Sequence, residues 1–343
     1  MPIDFQKICL EAPRKLKMSA AQTGTFKLLQ SLPPRSKLSR KLLRCIYGKR
    51  FKHMTITGAA FRLQPTSHPQ VWEIFWKGKK LGETHPFPQI QNSEKEDIWI
   101  LATGPSVNSL DLSKIRNKKV LGVNGSIAVC QKHGIVPSYY ASSDHNFFSE
   151  RMKLIKEAIA SGAHCFFSFN GIARICEQAP EIISQGKISF FEIVNRYYGI
   201  PGVEMGDLYQ SCSRDPDMII SSNPYKIGWS HNLCKGVFVA KTITYSACQI
   251  ANYLQARNIF ILGMDLGNPK GQPIRAYESG AQACVSSLDK DYEATILPSF
   301  QFLSQLNLST RVWNLSLNSR LPDDVIPKLS YEDALNYEEV SNQ

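Results

Sequence analysis

The stretch from Ile98 to Ser126 constrains this chain more than any other. A short apolar strand, Ile98–Ala102, breaks at Thr103-Gly104-Pro105-Ser106, and a second, Val120–Val123, breaks at Asn124-Gly125-Ser126. Strand, glycine turn, helix, strand and polar turn is the opening of a doubly wound α/β sheet. In such sheets ligands lie outside the carboxyl ends of the strands, so two small-residue turns at neighbouring ends predict a shared nucleotide crevice.

The same pattern continues down the chain. A helix is expected over Ser126–His133, then a strand Ser138–Ser142 ending at Ser143-Asp144-His145, a helix Phe148–Ala160, and strands at Cys165–Phe169 and Ile188–Phe191. Further on come a helix over Thr242–Ala256, a strand Ile259–Leu262 ending at Gly263-Met264-Asp265-Leu266, a helix Leu297–Leu306 and a last strand Arg311–Ser316. Residues 193–235 read as an irregular lid or acceptor-binding insertion, and 267–291 as a variable loop. Hairpin-like signals at 53–83 are too small to be stable alone and should pack on the main domain. The expected division is a basic amphipathic helical segment at 1–52, a small β-rich appendage and linker at 53–95, a nucleotide-binding α/β domain at 96–330 and a tail at 331–343.

Charge is concentrated at one end. Residues 1–52 hold 13 Lys and Arg against 2 acidic residues, so the whole formal excess of +11 lies there and the remainder is neutral. From Ser36 to Tyr47, Leu38, Leu42, Leu43, Cys45 and Ile46 fall mostly on one side of a helix, with Lys37, Arg40, Lys41 and Arg44 on the other. Such a helix suits an anionic membrane surface, at roughly 1 kcal/mol per basic residue held there. The competing reading is a solvated basic helix packed on its own domain. Nucleic acid is disfavoured, because the segment lacks interleaved aromatics and no helix-turn-helix pattern follows. Nine dispersed cysteines without Cys-x-x-Cys spacing argue for a reducing compartment and against structural zinc. No signal-peptide pattern and no apolar run of about 18 residues is seen, so the chain is expected to be neither exported nor membrane-spanning, and cytoplasmic.

Gly104-Pro105-Ser106 directly follows a strand, where backbone amides and a hydroxyl can meet a phosphate or ribose. It is neither Gly-x-Gly-x-x-Gly nor a P-loop. An ordinary turn is the simpler reading of it alone. Asn124, Asp144, Thr242, Thr244 and Asp265 each fall at a strand end or helix start on the same expected rim; singly each would be a cap, whereas five together point to a site. Thr242 and Thr244 open a helix, a position suited to an anion. The triplets Asp215-Pro216-Asp217 and Asp289-Lys290-Asp291 read as solvated loop residues rather than metal ligands, and His145 and His231 as structural.

In order, these residues resemble a family. Gly-Pro-Ser, Val-Asn-Gly-Ser, a strand ending in Asp144, Thr-x-x-x-x-Ala-x-x-Ile-Ala (Thr242 to Ala251), Gly-x-Asp-Leu (Gly263 to Leu266) and Asn-Leu-Ser-x-x-Ser-Arg-Leu (Asn314 to Leu321) with Asp324-Val325-Ile326-Pro327 look like the lipopolysaccharide inner-core Kdo transferases. Those bacterial enzymes are linked to adding a side-branch Kdo sugar. More distantly, the chain is similar to CMP-sialic-acid-using bacterial sialyltransferases and to a pterin pyrophosphokinase-like family, the last disfavoured for want of clustered carboxylates. The match covers roughly residues 98–328, and the Asn-Leu-Ser-x-x-Ser-Arg-Leu block is its most specific part.

The resemblance implies a single GT-A-like, mostly parallel sheet and a glycosyltransferase using a CMP-sugar donor without a separate cofactor or metal. It also implies a lipid-linked oligosaccharide acceptor and a peripheral position on the inner membrane. Gly104, Pro105, Ser106, Asn124, Gly125 and Ser126 would hold the nucleotide, Thr242 and Thr244 would approach its phosphate, and Arg320 would pair with a donor carboxylate or acceptor phosphate. The sialyltransferase relatives use a His downstream of Gly-x-Asp as general base; no His follows His231 here, which leaves Asp144, Asp265 and Glu293 as candidates. Two alternatives stay open: another CMP-sugar transferase, or a non-catalytic membrane- or polysaccharide-binding protein.

Overall fold

A computed structural model describes residues 60–89, 95–198, 205–221, 227–267, 275–277 and 288–337. The basic helix expected over 36–47 and the strand signal at 54–57 lie outside the described residues. Strands β1 (Phe61–Pro65), β2 (Trp72–Trp76) and β3 (Lys79–Glu83) form a small antiparallel sheet. The remaining strands are β4 (Ile98–Leu101), β5 (Lys119–Val123), β6 (Tyr139–Ser142), β7 (His164–Ser168), β8 (Ile188–Phe191), a hairpin of β9 (Met218–Ile220) and β10 (Gly228–Ser230), β11 (Asn258–Leu262) and β12 (Arg311–Asn314).

Seven of them make the central sheet, in the order β12-β11-β4-β5-β6-β7-β8. The pairs β12–β11, β11–β4, β4–β5, β5–β6 and β7–β8 are parallel. Strands β4 and β11 are buried along their whole length, as expected of parallel strands covered on both faces. From β4 the chain moves outward in one direction to β8, then returns to place β11 on the other flank of β4. The strand order therefore reverses between β4 and β11, and a doubly wound sheet opens its ligand crevice at such a reversal. The crevice expected between the ends of β4 and β5 thus gains a second wall, the segment after β11.

Within the described residues the chain divides into two compact units. One contains 60–88, 142–160 and 164–238; the other contains 89, 95–141, 161–163 and 239–337, each within the described residues. In the first unit, the small sheet buries Phe61, Leu63, Trp72 and Ile74. Phe61 meets Phe169 edge-on at 4.9 Å, and Trp72 meets Phe190 and Tyr198 at 5.7 and 6.2 Å. In the second, the helix Ile243–Tyr253 is buried from Thr244 to Ala251 and packs on β4 and β5. Burying each large side chain of these cores contributes about 1.5–3 kcal/mol.

Several elements differ from the sequence expectation. The β4–β5 crossover holds two 3-10 turns, Pro105–Ser109 and Leu112–Ile115, in place of a helix. Pro105 starts the first turn and the Asp111 side chain, accepting from Ser113 N–H, starts the second, which divides the segment too finely for a longer element. The helix expected over 148–160 is two, His145–Glu150 and Met152–Ala160. A helix over Phe169–Gln178, without a counterpart in the sequence reading, follows β7. Gly171 is required there, since a Cβ would lie 2.4 Å from Phe148 Cζ. The expected tail contains a helix, Tyr331–Leu335; Tyr331 packs on Trp99, and Tyr337 on Phe260 and Trp313.

Candidate nucleotide-binding site

The turns after β4 and β11 are fastened to each other within the second unit. Ala102 N–H donates to Leu262 C=O and Gly104 N–H to Gly263 C=O, both at 2.8 Å, so the pairing of the two strands continues into the turns. Asp265 accepts from Ser106 N–H at Oδ2 (2.8 Å) and from Ser106 Oγ at Oδ1 (2.5 Å). Both carboxylate oxygens are engaged in holding the Gly-Pro-Ser turn. Gly104 has to be glycine, because a Cβ would stand 2.6 Å from Asp265 Cγ and from Gly263 C=O. Gly263 has to be glycine for a second reason, its φ of +71°.

The Asn-Leu-Ser-x-x-Ser-Arg-Leu block completes this lattice. Ser316 Oγ lies 3.1 Å from Ser106 Oγ, and Ser316 N–H donates to Asn314 Oδ1. Ser319 Oγ donates to Met264 C=O at 2.6 Å, and Arg320 N–H to Asp265 C=O at 2.8 Å. Ser316 and Ser319, which the sequence reading did not single out as site residues, brace the turn that carries Asp265. Their signal was present, since both belong to the most specific block of the chain.

Arg320 is held flat. Its guanidinium carbon sits 3.8 Å from the centre of the Tyr292 ring, and its nitrogens reach Asp289 at 2.9 Å and Glu293 at 3.3 Å. Tyr292 opens a π-helical turn, Tyr292–Ile296, and donates its hydroxyl to Arg320 C=O. Glu293, a candidate base, is therefore a partner of Arg320. On the same segment Asp291 lies 3.8 Å from Lys241, whose φ of +61° is uncommon for a residue with a side chain. Each carboxylate of the second Asp-x-Asp triplet thus faces a cation.

After β5, Asn124 adopts a left-handed conformation at φ +47°; its N–H donates to Ala141 C=O and its own C=O accepts from Tyr140 Oη at 2.5 Å. Tyr277 lies over Gly125, where a Cβ would come within 1.9 Å of the ring, and Ala276 N–H donates to Thr103 C=O. Nothing in the sequence marked Tyr277, which lies in a loop of variable character. Ser126 begins the helix Ser126–His133 with a buried hydroxyl that has no hydrogen-bond partner among the described residues. Thr242 caps the helix Ile243–Tyr253 through Thr244 N–H (3.4 Å), and Thr244 is buried.

The first unit holds the remaining candidates. Asp144 is exposed and caps His145–Glu150, accepting from Asn146 N–H at Oδ1 (2.9 Å). His145 Nε2 accepts from Arg174 at 3.0 and 2.8 Å, so that nitrogen's lone pair is committed. Asp215 and Asp217, expected to be solvated, instead close on Lys235 Nζ at 2.6 and 2.8 Å. The Lys235 hydrogen bond and a second from Asn232 draw Asp217 below the usual carboxylate range. An ammonium group occupies the notch between the two carboxylates. Among the described residues no group of three or more His, Cys, Asp or Glu is placed to hold a metal ion, and no helix is long and apolar enough to cross a membrane.

Residues 87–332, most of the chain but not the β1–β3 sheet, match the family described as 3-deoxy-D-manno-octulosonic acid transferase WaaZ. The chain belongs to this family. It is a glycosyltransferase-family protein associated with Kdo and lipopolysaccharide core biosynthesis. A relative in Escherichia coli K12, described as a probable 3-deoxy-manno-octulosonic acid transferase, is 26% identical over 250 residues, covering 71% of this chain and 86% of its own length. A Salmonella typhimurium LT2 protein of the same description is 24% identical over 253 residues, covering 71% of this chain and 92% of its own. Among solved structures, the sialyltransferase CstII from Campylobacter jejuni, in complex with a substrate analogue, cytidine-5'-monophosphate, has 14% identity and a TM-score of 0.33 over 68% of this chain and 85% of its own. The MAf glycosyltransferase from Magnetospirillum magneticum AMB-1 has 12% identity and a TM-score of 0.40 over 71% of this chain, which spans 35% of that protein.

Proposed function

We propose that this Kdo-transferase-family protein moves Kdo from CMP-Kdo to a lipid-linked core oligosaccharide at an anionic membrane surface. The observation that carries this reading is the braced turn pair at the sheet's reversal, Gly104-Pro105-Ser106 against Asp265 and Ser316, in a chain whose family is described by Kdo transfer. With Gly104 and Ser106 N–H spent on Gly263 and Asp265 and no N–H on Pro105, the turn offers a nucleotide close approach to its backbone rather than free amides. In this reading Gly104, Pro105, Ser106, Asn124, Gly125 and Ser126 hold cytidine monophosphate. Thr242, Thr244 and the first-turn amides of Ile243–Tyr253 meet the phosphate. The leaving group of a CMP ester is a single phosphate, whose developing charge amides and hydroxyls can stabilise without a divalent ion. Arg320, stacked on Tyr292 and paired with Asp289 and Glu293, would take the carboxylate of the sugar acid in exchange for one of these two partners, since a guanidinium offers a matching fork.

The hydrogen bonding ranks the three candidate bases. Asp265 spends both oxygens on Ser106 and Glu293 is paired with Arg320, whereas Asp144 has only Oδ1 in its cap. Asp144 is assigned the proton of the attacking hydroxyl. Isothermal calorimetry tests the donor: CMP is expected to bind in preference to UDP and ATP, with and without EDTA. A preference for UDP that requires a divalent metal would overturn the donor assignment.

A further inference from the structure

We infer that the β1–β3 sheet docks on an anionic lipid bilayer through the tip and outer face of its β2–β3 hairpin. The sheet has two unlike faces. Its inner face is spent on the first unit's core, with Phe61, Leu63, Trp72 and Ile74 buried. On the other face Phe75 stands opposite Arg62 on β1 and Lys80 on β3; Trp76, the next residue, pairs with Phe61 and Lys79 and lies on the alternate face at the end of β2, beside the turn. The Arg62 guanidinium lies 4.5 Å from the centre of the Phe75 ring, and Lys77 Nζ 5.8 Å from that of Trp76. Both rings are only half-buried, and Arg62, Lys77 and Lys79 are exposed.

The tip is built to project. Lys77 (φ +48°) and Gly78 (φ +80°) form the two-residue turn with both residues left-handed, which matches the twist of a hairpin. A register shift between Ile74 and Phe75 leaves Leu81 as an extra residue on β3 and twists the ribbon just before its tip. Lys80 is paired with Glu73 and Glu83, which neutralises the base of the hairpin. Among the described residues Arg62, Lys77 and Lys79 have no carboxylate partner, so the uncompensated charge lies with the aromatics.

A tryptophan beside lysines has the amphipathic chemistry of a membrane–water interface: the ring enters the headgroup layer while ammonium groups stay with anionic lipid phosphates. Charge complementarity favours a bilayer over a neutral partner. Continuity along the chain adds to this, because the segment that holds the whole +11 excess runs in sequence directly toward β1. The inference concerns where the protein rests and goes beyond the transferase reading; an assay without a donor tests it independently.

The test is co-sedimentation of the full chain with vesicles of phosphatidylethanolamine and phosphatidylglycerol, against vesicles of phosphatidylcholine alone. The variant W76S/K77Q/K79Q is expected to lose at least about tenfold in partition to the anionic vesicles, at roughly fivefold for each lysine removed, with an unchanged circular dichroism melt. A second measurement does not rely on that variant. Brominated phosphatidylglycerol should quench part of the tryptophan emission of the wild-type chain, and W76F should lose that part whereas W313F should keep it, since Trp72, Trp99 and Trp229 are buried and Trp313, half-buried, packs on Tyr337. Equal partition of variant and wild type, quenching that W76F leaves unchanged, or loss of binding to a soluble anionic polysaccharide with vesicle partition retained would each overturn the inference.

Discussion

At the scale of single residues, the site is a set of hydrogen bonds between positions far apart in the chain. Ser106 and Asp265 are 159 residues apart, yet both oxygens of the carboxylate meet the one serine. A sequence can mark each position as polar and at a strand end, which is how Gly104, Ser106 and Asp265 were legible. It cannot say that Asp265 faces Ser106 rather than a substrate, because that follows from which strand lies beside β4. The difference is chemically testable. In Asp265→Asn, the amide oxygen can still accept from Ser106 N–H while the amide nitrogen donates to Ser106 Oγ, whose proton is free to rotate. Asp265→Asn should therefore keep the fold and substantial turnover, whereas Asp265→Ala leaves Ser106 N–H unsatisfied and should cost about 1–3 kcal/mol of stability. Asp144→Asn, an exposed substitution, should leave the melt unchanged and abolish transfer. Thermal melts and product formation with CMP-Kdo check all three; an inactive but fully stable Asp265→Asn would return Asp265 to the role of base.

At the scale of elements, the strands of the central sheet were read within a residue or two, because continuous apolar runs bounded by glycine and polar turns have few other solutions, whereas the short hairpin of β9 and β10 fell within the stretch read as irregular. The helices were less legible. Phe169–Gln178 begins on the last residue of an apolar strand signal, Cys165–Phe169, so periodicity alone has no boundary to find. The residues just past β8 show another limit: burial pushes the Glu192 carboxyl up to about 8, against the opposing hydrogen bond from Tyr198 N–H. In β7, burial, with His85 and Lys187 nearby, pushes His164 down to about 4. These two groups give the first unit a pH profile. Glu192 is protonated in the fold to about pH 8 but ionises near 4.5 when unfolded, so stability falls as pH rises through that window. His164 stays neutral in the fold to about pH 4 but protonates near 6.5 when unfolded, so stability falls as pH drops through that window. Between about 4.5 and 6.5 the two slopes oppose each other; from 6.5 toward 8 only Glu192 acts, at up to about 1.4 kcal/mol per pH unit. Denaturation at pH 5.5, 6.5 and 7.5 should show the wild type weakening over the last step and Glu192→Gln holding level. Parallel curves for the two proteins would refute the assignment.

At the scale of the whole molecule, charge is distributed in a way that the sequence alone makes plain and the fold does not alter. Residues 1–52 carry the entire excess of +11, and the other residues balance 27 basic against 27 acidic side chains. A neutral body with a basic end should bind an anionic membrane by two physically separable terms. The term from residues 1–52 is electrostatic and must weaken as the screening length shrinks from about 10 Å at 0.1 M salt to about 3 Å at 1 M. Insertion of Trp76 is apolar and changes little over that range. Substituting Lys37, Arg40, Lys41 and Arg44 with Gln in the full chain removes four charges worth roughly 1 kcal/mol each near the surface. Vesicle partition of that variant should fall by about two orders of magnitude or more at 0.1 M salt and approach the wild type at 1 M. The W76S/K77Q/K79Q variant should remain weaker than wild type at both salts, because part of what it loses is not screened. A quadruple-Gln variant that binds like wild type at low salt would assign residues 1–52 to their own domain surface, and the hairpin would then carry membrane contact by itself.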